Sequence, residues 1–246
     1  MSLLCGCHQA KKGCLDNNAV NYDVSADRNC CCKYPELTIN TSLQWDGSPF
    51  DWDSVYVLGS GQAFKLVDMN ILLNNFALKR ANTRLRSDSI ARFTTTGGME
   101  LNIPDDFAWW SGKQSAVSIP EFIVKSTYDS LAFHIGLSHP DIDPEVLDPS
   151  HPLHPDNSGW NPALGFPVLS MKWLTGVHSE DTVGVRYTTI REKEVISMSL
   201  PRKIEGVIGQ NTTVDISLDL AKCLEHVDLQ HPDSAEVLKR LKGAFE

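Results

Sequence analysis

From Glu36 onward the chain alternates apolar and polar residues at period two, and that period admits strands and little else. Successive side chains of a strand point to opposite faces, so alternation buries one face and wets the other. The clearest runs are 37–43, 54–58, 132–137, 183–190, 194–200 and 212–218, each bounded by Gly, Asp, Asn or Pro. Many short strands and few helices predict a mainly β fold, a β-sandwich with a long His/Pro-rich loop. One helix is expected near the end, where Asp233 and Ser234 can cap residues 235–242 ahead of Gly243. Val237, Leu238 and Leu241 give that helix an apolar docking stripe. A chain of 246 residues can bury such a core without disulfides. Residues 1–35 differ in composition and read as a separate N-terminal segment, with the sandwich spanning 36–246.

The formal net charge of −9 excludes a nucleic-acid binder, because phosphate recognition needs clustered Lys and Arg and the sequence has no such run. No stretch of about 18 apolar residues occurs, so any membrane attachment is covalent. Six of the seven cysteines crowd the start: Cys5, Cys7, Cys14, Cys30, Cys31 and Cys32, with Cys223 alone far downstream. Three cysteines in a row lack the C-x-x-C spacing that wraps two sulfurs around one tetrahedral zinc. Disulfides in an oxidising compartment are therefore favoured, and Cys223 reads as a buried free thiol.

Between His139 and Trp160 the chain becomes saturated with Pro, Asp and His. Repeated proline fixes φ and lowers the entropy cost of holding several side chains towards one point. Five of the eight histidines, His134, His139, His151, His154 and His178, fall in this part of the chain. Neutral imidazole is a good ligand for copper and zinc, so His134, His139, His151 and His154 form the candidate metal set, with Met171 as a soft addition. Two other readings stand beside it. The histidines populate a polar surface loop, or the acids Asp141, Asp143, Asp148 and Asp156 hold calcium, although they do not follow the EF-hand spacing. Trp109 and Trp110 offer an aromatic platform for a sugar. No nucleophile elbow, P-loop, zinc-protease or dinucleotide motif occurs, and no enzyme is expected.

The first residues, Met1-Ser2-Leu3-Leu4-Cys5-Gly6-Cys7, resemble the end of a bacterial lipoprotein signal, which implies that Cys7 is lipidated and that the protein is exported to the periplasm or cell surface. The charged n-region and most of the apolar h-region of such a signal are absent, so on that reading either the true start lies upstream or the leader has been trimmed. Gly13-Cys14-Leu15-Asp16, Ala19, Asn21-Tyr22 and Cys32-Lys33-Tyr34-Pro35 resemble an element found just after the anchor cysteine in secreted proteins of the Bacteroidetes. That resemblance implies a Cys14–Cys32 disulfide. A vicinal Cys30–Cys31 bond or a bond to Cys5 remains open.

Residues 37 to 231 resemble the MbnP-like family of exported β-sandwich proteins. The resemblance rests on the apolar run 64–78, the strand Tyr128–Leu137 with its F-x-I-G pattern, His151-Pro152-Leu153, and Trp160 with Gly165-Phe166. It implies copper binding for uptake or delivery, a tryptophan that can be oxidised (here Trp160, otherwise a packing residue), and a di-haem cytochrome c peroxidase-like partner. The chain departs from the family at Ser158, Pro162 and Tyr187–Ile190, where a methionine, a second tryptophan and a histidine-bearing strand stand in the family. The alternative is a metal-free module that binds a glycan or another envelope protein.

Overall fold

The computed structural model describes residues 10–139, 141–175, 182–188 and 195–246. At its start, β1 (Lys12–Gly13) and β2 (Arg28–Asn29) pair in parallel. The Cys14–Cys32 disulfide closes this element, the pairing that the resemblance implied. Its turns are held by side chains that bond the backbone two residues on: Asp16 accepts the Asn18 N–H and Asp23 that of Ser25. Cys30 and Cys31 are free thiols with Sγ atoms 2.7 Å apart. Cys5 and Cys7, and with them the lipidation expectation, lie outside the described residues, as does His178.

The rest is mainly β. In order come β3 (Leu37–Trp45), β4 (Ser48–Pro49), β5 (Tyr56–Val57), β6 (Ala63–Arg80), β7 (Thr83–Leu85), β8 (Ile90–Thr94) and β9 (Glu100–Pro104). They are followed by β10 (Ala108–Ser111), β11 (Ala116–Ile119), β12 (Thr127–Ile135), β13 (Pro167–Thr175), β14 (Thr182–Thr188), β15 (Ile196–Glu205) and β16 (Thr212–Asp219). The helices are α1 (Pro155–Ser158), α2 (Leu220–Leu224) and α3 (Ser234–Ala244). Among the described residues, the larger sheet runs β14-β13-β6-β12-β15 with β5, β7 and β10 also on β6. The smaller runs β11-β3-β16 with β4 on β3, and β8–β9 forms its own hairpin.

The alternation now has its counterpart in space. Leu37, Ile39 and Leu43 of β3 and Val214, Ile216 and Leu218 of β16 share one core with Ile71, Leu73, Phe76, Trp110, Phe133 and Trp173 of the larger sheet. Two sheets facing through interdigitated side chains make the expected sandwich. The C-terminal helix docks as predicted, with Val237, Leu238 and Leu241 inward. Asp233 caps it by accepting the Ala235 N–H at 2.9 Å. The helix passes through Gly243 to Ala244, one turn's fraction further than the glycine suggests, because Ala244 and Phe245 are buried against the same core. Cys223 of α2 is a buried free thiol, pushed up to about 12 by burial.

The long strand β6 positions everything that follows. Its core-facing residues step Phe64, Leu66, then Met69, Ile71, Leu73, then Phe76, Leu78. A step of three replaces a step of two twice, and each coincides with a register shift, against β13 at Lys172/Trp173 and against β12 at Ala132/His134. These are β-bulges, which bend a strand and re-aim its side chains. Pairing with β13 covers Phe64 to Ile71 and pairing with β12 covers Leu73 to Lys79, so the second bulge sits where β6 changes partner. There Asn75 adopts φ +56°, a left-handed conformation that Asn tolerates better than most residues.

Candidate functional site

The side of the larger sheet turned away from the sandwich core is not bare. Leu72 of β6 points outward and meets Phe93, Phe107, Leu137, Ile142, Leu153 and Phe166 in a second, smaller core. The His/Pro-rich segment supplies two of these residues, Ile142 and Leu153, and so lies packed over the sheet. Its turns are stiffened by local bonds: Asp148 accepts the Ser150 N–H, and His154 caps α1 by accepting the Asp156 N–H at 3.3 Å. Gly159 ends α1 in the left-handed conformation at φ 62°. Trp160 packs at the rim of this core, its ring centroid 6.5 Å from that of Phe166.

The candidate histidines fall into two pairs. His134, on the outer face of β12, lies with both ring nitrogens near the Asn75 amide, at 2.9 and 3.0 Å, and His139 lines a cavity that Asn75 also borders. Burial, then the charges of Arg84, Arg86 and Lys79, holds His134 below its ordinary pKa. His151 and His154 share a turn, the His154 N–H bonding the His151 carbonyl at 3.0 Å. The His151 ring is fully engaged: Nδ1 accepts the Leu153 N–H at 3.0 Å, so Nε2 carries the proton it donates to Asp105, also at 3.0 Å. It also packs edge-on against Phe93 and Phe107. Among the described residues no group of three or more His, Cys, Asp or Glu stands together as a metal cage. The ring nitrogens of His134 and His151 already have hydrogen-bond partners, and the cations around His134 oppose a metal ion. Met171 is buried in the sandwich core.

What the fold does assemble is a polar row across the outer face. Ser111 of β10 pairs with Asn70 of β6, Asn70 with Ser170 of β13, and Ser170 with Arg186 of β14. Residues directly opposite in antiparallel ladders project to the same side. The row floors a groove of about 490 Å³ whose walls include Trp109, Gln114, Asp156 and Asn157. Trp110, the next residue along, turns into the sandwich core and is fully buried, so the aromatic platform is Trp109 alone. Two bonds fix the walls: Trp109 Nε1 donates to the Pro152 carbonyl at 2.9 Å, and Arg186 Nη2 to the Gly159 carbonyl at 2.6 Å. A larger hollow of about 650 Å³ opens beside Trp45, Leu58 and Lys222. Of its charged groups, Lys222 pairs with Asp219 and Glu246, and His226 with Glu225.

Sequence reasoning reached Trp109 and the loop but missed Asn70, Ser111, Ser170 and Arg186, which only the strand register brings into line. No family model matches the chain, and no curated protein matches it. Among solved structures the chain is similar to MbnP from Methylosinus trichosporium, at 15% identity with a TM-score of 0.46, over 79% of this chain and 78% of that one.

Proposed function

We propose that this protein is an exported binding module, without catalysis, whose ligand is a neutral polar ring compound of the glycan class held in the groove over the larger sheet. The observation that carries this reading is the row Ser111–Asn70–Ser170–Arg186 beside the half-buried face of Trp109. A flat aromatic face takes the apolar side of a sugar ring, while hydroxyls, amides, one carboxylate and one guanidinium take its hydroxyl groups. The floor belongs to paired strands, so the groups are held without loss of loop entropy on binding. Export is supported by the Cys14–Cys32 disulfide, since such bonds persist in oxidising compartments. No helix among the described residues is long and apolar enough to cross a membrane. Attachment through lipid on Cys7 is part of the proposal. It predicts that protein expressed from its whole gene partitions with membranes and that Cys7→Ser releases it, and wild-type protein with an unmodified Cys7 would refute it.

The groove is tested by titrating the full chain with a panel of neutral oligosaccharides and following tryptophan fluorescence. Saturable binding is expected, and Trp109→Ala should cost about 2 kcal/mol, a loss of affinity of roughly thirtyfold. No saturable binding across the panel, or undiminished binding by Trp109→Ala, contradicts the reading.

Copper binding at the same loop is the second reading, favoured by one observation: His151 and His154 share a turn, and His154 Nε2 has no hydrogen-bond partner among the described residues. It requires His151 to give up the Leu153 or Asp105 bond, for which the metal must compensate. Under it, copper binds in competition with zinc and His151→Ala/His154→Ala abolishes uptake. Equal copper affinity in the double variant would remove this reading.

A further inference from the structure

The second bulge of β6 borders a separate cavity of about 240 Å³, lined by Asn74, Asn75, Arg86, Asp106, Ser138 and His139, with an apolar wall that includes Phe107. Its surroundings are basic in a chain whose formal net charge is −9. Lys79 stands directly opposite Arg84 in the β6–β7 ladder, a like-charge pair that costs stability unless something negative lies nearby. Arg86 follows two residues on, and His134 and His139 complete the cluster. Among the described residues neither Arg84 nor Arg86 forms an ion pair. The adjacent acids accept hydrogen bonds from other groups, and the single negative charge that Asp106 brings to the lining is outnumbered by Lys79, Arg84 and Arg86. Asp105 accepts from His151, and the two carboxylate oxygens of Asp106 accept the backbone N–H groups of Asn75 and Phe76 at 3.0 and 2.7 Å. Asp106 thereby clamps the bulge that turns the Asn75 amide outward, in a left-handed conformation that a regular strand would not impose.

We infer that this bulge is a binding site for a compact oxyanion, either inorganic phosphate or sulfate or the carboxylate end of a small acid. Arg86 supplies a guanidinium fork that matches two oxygens at once, the Ser138 hydroxyl lining the same cavity is a further donor, and Lys79 and Arg84 add long-range attraction, while the amide NH2 groups of Asn74 and Asn75 stay on the Gly136 carbonyl and on His134. The cavity of about 240 Å³ holds a compact anion, and because Arg86 is exposed the attraction is screened by salt. Occupancy would also relieve the Lys79–Arg84 repulsion, so the anion should stabilise the fold by mass action.

Calorimetric titration of the full chain in low-salt buffer tests this with inorganic phosphate, sulfate and citrate as probes. Saturable one-site binding of at least one of them is expected, with affinity falling as sodium chloride is raised. Arg86→Gln should weaken it at least tenfold, and because Arg86 is solvent-exposed the circular dichroism spectrum should be unchanged. Trp109→Ala, which removes only the groove wall, should leave anion binding intact, so failure of the glycan reading is distinguishable from failure of this one. No saturable binding of any probe by the wild-type chain would overturn the inference, and so would equal affinity in Arg86→Gln.

Discussion

Among single residues Asp106 has the largest physical consequences. Burial pushes its carboxyl up to about 6, against the pull of the Asn75 and Phe76 N–H groups and of Arg86. An acid whose folded pKa lies above its unfolded value binds more protons in the folded state between the two. Stability therefore falls as pH rises from about 4 through about 6, by at most about 3 kcal/mol from this group. Asp106→Asn should remove that slope, seen as a flatter dependence of Tm on pH over this window. At pH 7 it should also cost about 1–3 kcal/mol, because the new NH2 faces a backbone donor. An unchanged Tm profile would show that Asp106 is not the titrating group. Little of this was legible beforehand. Asp105-Asp106 reads as a turn, and only the pair Asn74-Asn75 inside an apolar run hints at a bulge, through the tolerance of Asn for left-handed backbone.

At the scale of elements, legibility followed periodicity. The runs in β3 and β16 show clean alternation and were readable, and β12 was readable over its last residues, Phe133 to Ile135. The longest strand, β6, was not readable from alternation: its two bulges shift the phase, and outward Leu72 is buried by the second core, so Ile71-Leu72-Leu73 looks continuous. The His/Pro-rich segment was legible as a special stretch, while its packing was hidden because its partners, Phe93, Phe107 and Phe166, lie far apart in sequence. Leu153 is fully buried at the centre of that packing. Leu153→Ala should destabilise the protein by about 2–4 kcal/mol and loosen the segment, seen as faster amide exchange between residues 141 and 166. Equal exchange in the variant would mean that the segment does not depend on this core. The N-terminal element makes a parallel case: Cys14→Ser opens a loop of sequence separation 18 and should cost about 3 kcal/mol of that element's local stability. Limited proteolysis measures the loss, and equal resistance of the variant would oppose it.

For the whole molecule, a sandwich core fixes β6, and the outer face of β6 then carries two polar sites separated by an apolar cluster. One is the groove beside Trp109 and the other is the bulge at Asn75. The fold class was readable because it depends on patterns within strands, whereas the groove depends on register between strands whose residues stand at 70, 111, 170 and 186. The most direct test of the groove is a two-dimensional NMR titration of the full chain with a neutral oligosaccharide that saturates its fluorescence change. The account predicts that the Trp109 indole N–H and the amides of Ser111, Asn70, Ser170 and Arg186 shift together along one binding curve. Shifts confined to other surfaces, with the Trp109 indole signal unmoved at saturation, would contradict it.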